Sequence, residues 1–278
     1  MLPNLVIIGA MKCGTTSLHY YLNLHPEITM TTRKELDFFV EKKYVNKGLP
    51  WYEQHFQGDT KILGEASPNY TNQGKFPGVP ERMYATLPTA KLIYLVRDPI
   101  QRMVAHYVHE YSSGAEQRPM AIALTEPAGN MYLDRSLYHA QISAFLNYFP
   151  RDQLLIVAAE DLRHQTAATL KDIFTFLDVD ANFYSSKFSR QRHQSDRKRH
   201  KNQVGTAIAK SDLMKRLMKK VPHPWRGAVE DIIYRPFSQP INKPILTPET
   251  HSQLQQLLAD DIHQFRQLTG HSFPGWTV

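Results

Sequence analysis

Three stretches of the chain bring together residue types suited to handling an anion and a proton. The first is Gly9-Ala10-Met11-Lys12-Cys13-Gly14-Thr15-Thr16, with Ser17 directly after it. Its two glycines have the spacing of phosphate-binding loops, where backbone N–H groups and a helix N-terminus cradle an anion. One departure from the GxxxxGK[ST] pattern is informative: Thr15 stands where the lysine belongs, and Lys12 lies two residues before Gly14. A lysine there aims its charge from within the loop at a shorter anionic group than a triphosphate tail. Cys13 lies in this positive loop, which is expected to lower its thiol pKa; its small size suits a close turn.

The second stretch holds two glutamates, Glu35 in Lys34-Glu35-Leu36-Asp37-Phe38-Phe39 and Glu65 in Gly64-Glu65-Ala66-Ser67-Pro68-Asn69-Tyr70. A glutamate with an ordinary pKa near ~4.3 is ionised at neutral pH and accepts a proton without tuning. Glu35 reads equally as a surface carboxylate paired with Lys34 or Arg33, and Glu65 as a second acid/base or, preferred here, a buried structural partner for Lys34. The third stretch is Arg97-Asp98-Pro99, which ends an apolar run. A guanidinium there holds phosphate bidentately. Asp98 is placed as a metal-binding aspartate would be in a kinase using Mg-ATP.

These residues are positioned by elements legible from periodicity. Apolar runs at 4–8, 61–65, 91–96 and 154–157 read as buried strands. Helices are expected over 15–24, 100–111, 135–149 and 166–177, with a last one from Thr247-Pro248-Glu249 to about Leu268, stopped near Gly270. Apolar strands alternating with helices imply an α/β domain with a central parallel sheet covered on both faces, one domain over 1–278. Stretches 40–60, 68–80 and 112–132 read as long loops that shape a substrate site. His25, before Pro26, suits a structural turn.

Composition narrows the function. In 278 residues, 33 Lys+Arg stand against 26 Asp+Glu, for a net charge of +7. Between Lys187 and Lys201 lie seven basic residues and one acid, so nearly all of that excess is local. Such a run is a solvated loop or one that closes over a polyanionic ligand. A nucleic-acid binder needs a distributed basic face with interleaved aromatics, and this segment contains only Phe188. A single cysteine excludes an internal disulfide and a thiolate zinc cluster. No transmembrane run is present. The expectation is a cytoplasmic protein, or else the soluble catalytic domain of a longer anchored one.

Taken together, the motifs resemble those of sulfotransferases that use 3′-phosphoadenosine-5′-phosphosulfate (PAPS). Residues 7–18 resemble the family's 5′-phosphosulfate-binding loop, with Leu24-His25-Pro26 following. Lys34 to Phe39 and Gly64 to Tyr70 are similar to segments of the heparan-sulfate and related carbohydrate sulfotransferases. Tyr94 to Pro99, followed by Arg102, resembles the 3′-phosphate-binding strand–turn–helix, and Ser136-Leu137-Tyr138 and Phe149-Pro150-Arg151 match later landmarks. The resemblance covers most of 4–200 and implies a P-loop-containing sulfotransferase-like fold and transfer of a sulfuryl group to an acceptor hydroxyl, on a carbohydrate, lipid or small molecule, with no metal required. It implies Lys12 stabilising the leaving phosphate and Glu35 as general base. Lys12, Cys13, Gly14, Thr15, Thr16 and Ser17 would hold the 5′-phosphosulfate, Arg97 the 3′-phosphate, and Tyr138 the adenine or its neighbouring backbone. Arg197, Lys198 and Arg199 would come from a basic loop over the bisphosphate. The family's serine eight residues after the arginine is Ala105 here, so one hydroxyl donor is lost; His106 and His109 lie nearby in sequence.

Overall fold

A computed structural model describes residues 1–126, 129–189, 199–201, 205, 208, 211, 214, 216–218, 221, 229, 232–240 and 245–278. The centre is β1 (Leu5–Gly9), every residue of which is buried, as its apolar sequence demands. It lies between β3 (Ile62–Ala66) and β4 (Lys91–Val96), both parallel to it, with Val6 opposite Glu65 on one side and Leu92 on the other. β2 (Ile28–Met30) pairs with β3, and β5 (Leu154–Ala158) with β4, giving the all-parallel order β2-β3-β1-β4-β5. The chain runs to one side of β1 and then to the other. That places a topological switch point, the usual ligand crevice, at the carboxyl ends of β1, β3 and β4.

Helices cover the sheet. α1 (Thr15–Leu22) follows β1, α3 (Val79–Thr86) follows β3, and α4 (Pro99–Ser113) follows β4. Asp98 caps α4 by accepting from the Gln101 amide at 2.8 Å, and Pro99 opens its first turn. After β5 come α8 (Ala159–His164) and α9 (Thr166–Leu177). The last helix, α10 (Pro248–Thr269), starts at a Thr247 cap and stops at Gly270, whose φ is 72°. A short antiparallel pair, β6 (Arg199–Lys201) with β7 (Ser238–Pro240), lies beside α4.

Four sequence expectations change. β2 has only three residues, too few to show as an apolar run, although Ile28 and Met30 are buried. The 40–60 stretch holds α2 (Glu41–Glu53), its helical pattern hidden by Gly48, where φ is 70° and the helix kinks, and by Pro50 two residues on. Within 112–132 lie two short helices, α5 (Met120–Thr125) and the start of α6 (Met131–Asp134). The helix expected over 135–149 is α7 (Tyr138–Leu146), because Leu137 has ψ 76° and cannot extend it. Asp261 of α10 sets that start, its carboxylate accepting from the His139 and Ala140 amides at 2.9 Å each.

Candidate active site

The glycine-rich loop leaves β1 through a tight turn. Gly9 has no room for a side chain: a Cβ there would lie 2.0 Å from Thr71 Oγ1 and 3.0 Å from the Tyr94 ring. Lys12 and Gly14 both have positive φ, 72° and 95°. At Gly14 this conformation costs nothing, and it turns the chain into α1. Gly14 offers no side-chain cap, so the first amides of α1 are left to a ligand or water, as an anion cradle requires. Thr15 is buried at the helix start, with Thr16 and Ser17 half-buried beyond it.

Glu35 is held at the edge of this cradle. Lys34 Nζ lies 2.9 Å from Glu35 Oε1 and 3.4 Å from Thr15 Oγ1, so one ammonium spans the carboxylate and the loop. The Lys34 side chain is 18% exposed and that of Glu35 53%, so the carboxylate is open to an incoming acceptor while its lysine is largely enclosed. Residues 35–37 form a turn in which Glu35 and Asp37 both have positive φ, 63° and 50°. Glu65 is not the partner of Lys34. It is fully buried and accepts from the hydroxyls of Tyr52, Ser67 and Tyr70, each at 2.7 Å. Burial pushes its pKa up, opposed by those hydroxyls.

On the other side of β1, Arg97 Nη2 bonds Gln101 Oε1 at 2.8 Å, and Nη1 lies 3.4 Å from the Lys12 carbonyl, tying the β4 turn to the loop. Tyr138 is buried, its hydroxyl donating to the Arg97 carbonyl at 2.8 Å, so it supports the backbone of that turn. Asp98 is not free to hold a metal. Oδ1 accepts the α4 cap bond, and Oδ2 accepts from the Thr277 amide and hydroxyl at 2.6 and 2.8 Å. Both oxygens serve structure, which removes the ligand that a Mg-ATP kinase would need there. The Cys13 thiol is also reversed: burial pushes it up to about 11, outweighing Arg102 and Arg97. Ala105 is half-buried, and His106 does not replace the missing hydroxyl. His106 is turned inward against the Tyr132 ring, with Nε2 3.6 Å from Glu110, and burial lowers its pKa to about 4. His25 is structural, its Nδ1 accepting from the Glu27 amide and its ring packed between Phe174 and Phe183.

Of the basic loop, Arg197 and Lys198 lie outside the described residues, while the backbone of Arg199 pairs in β6 beside α4. The structure adds Arg135, which the sequence placed only as the start of a helix. Its guanidinium, mostly buried, bonds Asn69 Oδ1 at 2.8 Å and lies 3.1 Å from Met11 Sδ in the loop. Asn69 in turn donates to Asp37 Oδ1 at 3.2 Å, and Lys43 Nζ sits 3.1 Å from Asp37 Oδ2. Burial lowers the Arg135 pKa to about 10, with Glu110, Asp37 and Glu35 opposing that shift. No local pattern marks an arginine that reaches across the cleft.

The parallel sheet thus brings a glycine-rich turn after β1, a carboxylate beside it and an arginine turn after β4 to one end of its strands. The sulfotransferase domain family matches residues 2–265, and the chain belongs to that family. It is 27% identical over 270 residues to the membrane-associated sulfotransferase kil1 of Dictyostelium discoideum, covering 64% of this chain and 56% of the relative. It is 32% identical over 202 residues to the human bifunctional heparan sulfate N-deacetylase/N-sulfotransferase 2, covering 64% of this chain and 22% of that protein. The chain thus spans about half of the first relative and about a fifth of the second. In fold it is similar to a sulfotransferase from Alicyclobacillus acidocaldarius, with TM-score 0.71 and 22% identity over the full length of both chains. Among the described residues, no helix is long and apolar enough to cross a membrane.

Proposed function

We propose that the chain transfers a sulfuryl group from PAPS to a hydroxyl or amine on a carbohydrate or small-molecule acceptor, releasing adenosine 3′,5′-bisphosphate. The observation that carries this reading is the Lys34 bridge. It holds Glu35 at the lip of the anion cradle, 2.9 Å from an ammonium that also reaches Thr15. A donor phosphate in the cradle and an acceptor beside Glu35 are then adjacent, as in-line transfer requires. Glu35 takes the acceptor's proton as the new bond to sulfur forms. The bond from sulfur to the bridging phosphate oxygen breaks, and the electron pair leaves with the bisphosphate.

Lys12 is placed in the loop to stabilise the charge that develops on that leaving oxygen. The amides of Gly14, Thr15 and Thr16 and the Thr15, Thr16 and Ser17 hydroxyls bind the 5′-phosphosulfate, with Cys13 holding the turn through its amide bond to the Ala10 carbonyl. Arg97 takes the 3′-phosphate, its turn fixed by Tyr138 and its guanidinium steadied by Gln101. With no hydroxyl at Ala105, the Arg197–Arg199 segment supplies the remaining positive charge. The named activity of the human relative makes a sugar amine as reasonable an acceptor as a hydroxyl.

Calorimetric titration tests the donor half. Adenosine 3′,5′-bisphosphate should bind more tightly than AMP or Mg-ATP, and tighter binding of Mg-ATP would sink the proposal.

A further inference from the structure

Three backbone amides of the strained turn at 35–38 end on the last residue of β3 and the segment after it. The Glu35 amide donates to the Ala66 carbonyl at 3.0 Å, the Asp37 amide to Ser67 Oγ at 3.0 Å, and the Phe38 amide to the Tyr70 hydroxyl at 2.9 Å. A backbone N–H can only donate, so Ser67 and Tyr70 must accept here. Each hydroxyl has one hydrogen. Ser67 gives its own to Glu65 Oε2 and Tyr70 gives its own to Glu65 Oε1, both at 2.7 Å. Glu65 therefore accepts through both oxygens, the arrangement that suits a carboxylate.

We infer that Glu65 is the positioning residue for Glu35, acting through the Ser67 and Tyr70 hydroxyls on the backbone of the turn that carries it; this rests on the reading of Glu35 as proton acceptor. Two non-glycine residues in the left-handed region, Glu35 and Asp37, persist only where the surroundings over-determine them. From residues 66–70 come three directed hydrogen bonds and the Asn69–Asp37 contact, and Lys43 adds bonds to the Leu36 carbonyl and the Asp37 carboxylate. A purely packing role would need none of this. Serine and two tyrosines filling a buried space serve as well as alanine and two phenylalanines, without the cost of an interior carboxylate. The charge earns its place by setting hydroxyl direction, and direction fixes the turn.

Tyr52 supplies an internal control. Its hydroxyl also donates to Glu65 Oε1 at 2.7 Å, and its ring stacks on Phe38 at 4.3 Å, yet no hydrogen bond joins its hydroxyl to the turn. Phenylalanine at 52 keeps the stack and loses only that bond.

Glu65→Ala endangers the fold, so the test compares Ser67→Ala, Tyr70→Phe and Tyr52→Phe, with Glu35→Gln as reference. Transfer is followed with radiosulfate-labelled PAPS to N-desulfated heparan sulfate and to water, and amide hydrogen exchange is read at Asp37 and Phe38. Ser67→Ala and Tyr70→Phe should lower kcat by about tenfold or more, leave KM for PAPS within about twofold, and speed exchange at those amides. Tyr52→Phe should do neither. Equal slowing by Tyr52→Phe and Tyr70→Phe overturns the inference, as does unchanged protection of both amides in Ser67→Ala and Tyr70→Phe. Full turnover by Glu35→Gln sinks the proton-acceptor reading instead, and the exchange result then still decides whether the clamp exists.

Discussion

At the scale of single residues, the loop and the lip of the cleft make separable contributions. On the proposed mechanism Lys12→Ala removes the charge at the leaving oxygen, and kcat should fall about 10²–10³-fold. Glu35→Gln removes the proposed proton acceptor but keeps the shape, so kcat should fall about 10²–10⁴-fold while bisphosphate affinity stays near wild type. Single-turnover rates and calorimetry on the same two variants separate these effects. Cys13 shows where reading by residue type misleads. Its place in a positive loop leads to the expectation of a lowered thiol pKa, but enclosure outweighs charge and pushes it up to about 11. Iodoacetamide at pH 8 should leave native Cys13 unmodified over hours and label it promptly in denaturant; rapid native labelling would contradict the enclosed geometry.

At the scale of elements, what was legible is what is local. The apolar runs marked β1, β3, β4 and β5, and the glycine spacing marked the turn between β1 and α1. Glu35 and Glu65 were visible as residues, but their relation was not. It depends on β3 lying beside β1, in a register that sets Glu65 opposite Val6, and on three amides of one segment meeting a second some thirty residues on. The same non-local logic hid Arg135, whose partners Met11 and Asn69 come from two other loops. Gly9 can be tested directly. A methyl group there meets Thr71 Oγ1 at 2.0 Å and the Tyr94 ring at 3.0 Å. Gly9→Ala should therefore displace the loop and cost at least about tenfold in bisphosphate affinity, whereas alanine at the exposed Gly275 should cost none.

At the scale of the whole molecule, the last helix and the residues after it buttress the turn that carries Arg97. Asp261 caps α7, Trp276 packs on Tyr138 with ring centres 5.6 Å apart, and Thr277 binds Asp98, the residue after Arg97. Thr277→Val deletes the hydroxyl bond to a buried carboxylate. It should weaken bisphosphate binding several-fold, with acceptor KM unchanged, if the turn carrying Arg97 is held from this side. No sequence pattern links positions 98 and 277, because nothing in either segment's periodicity encodes contact across the chain.

Global stability should carry the mark of the buried histidines. Burial lowers His106 and His19 to about 4, against an ordinary value near 6.5, so both fold as neutral rings at pH 7. Between those values the unfolded chain binds more protons than the folded one, and stability must fall as pH drops from about 6.5 to about 4. For His106 the loss amounts to at most about 3 kcal/mol. Glu116, held down to about 2 first by its hydrogen bond to Arg118, adds a later loss that begins only below about 4.5. The two ranges barely overlap, so a fall that starts above pH 5 belongs to the histidines. Urea midpoints measured from pH 7.5 down to 4 should decline throughout, and His106→Gln, which cannot take the proton, should flatten part of that slope. Because carboxyls pushed up by burial, such as Glu65 and Asp261, act in the opposite sense in both proteins, an identical slope in the parent and His106→Gln would mean that the His106 ring protonates without resistance, and that its packing against Tyr132 is looser than its 4.7 Å ring separation implies.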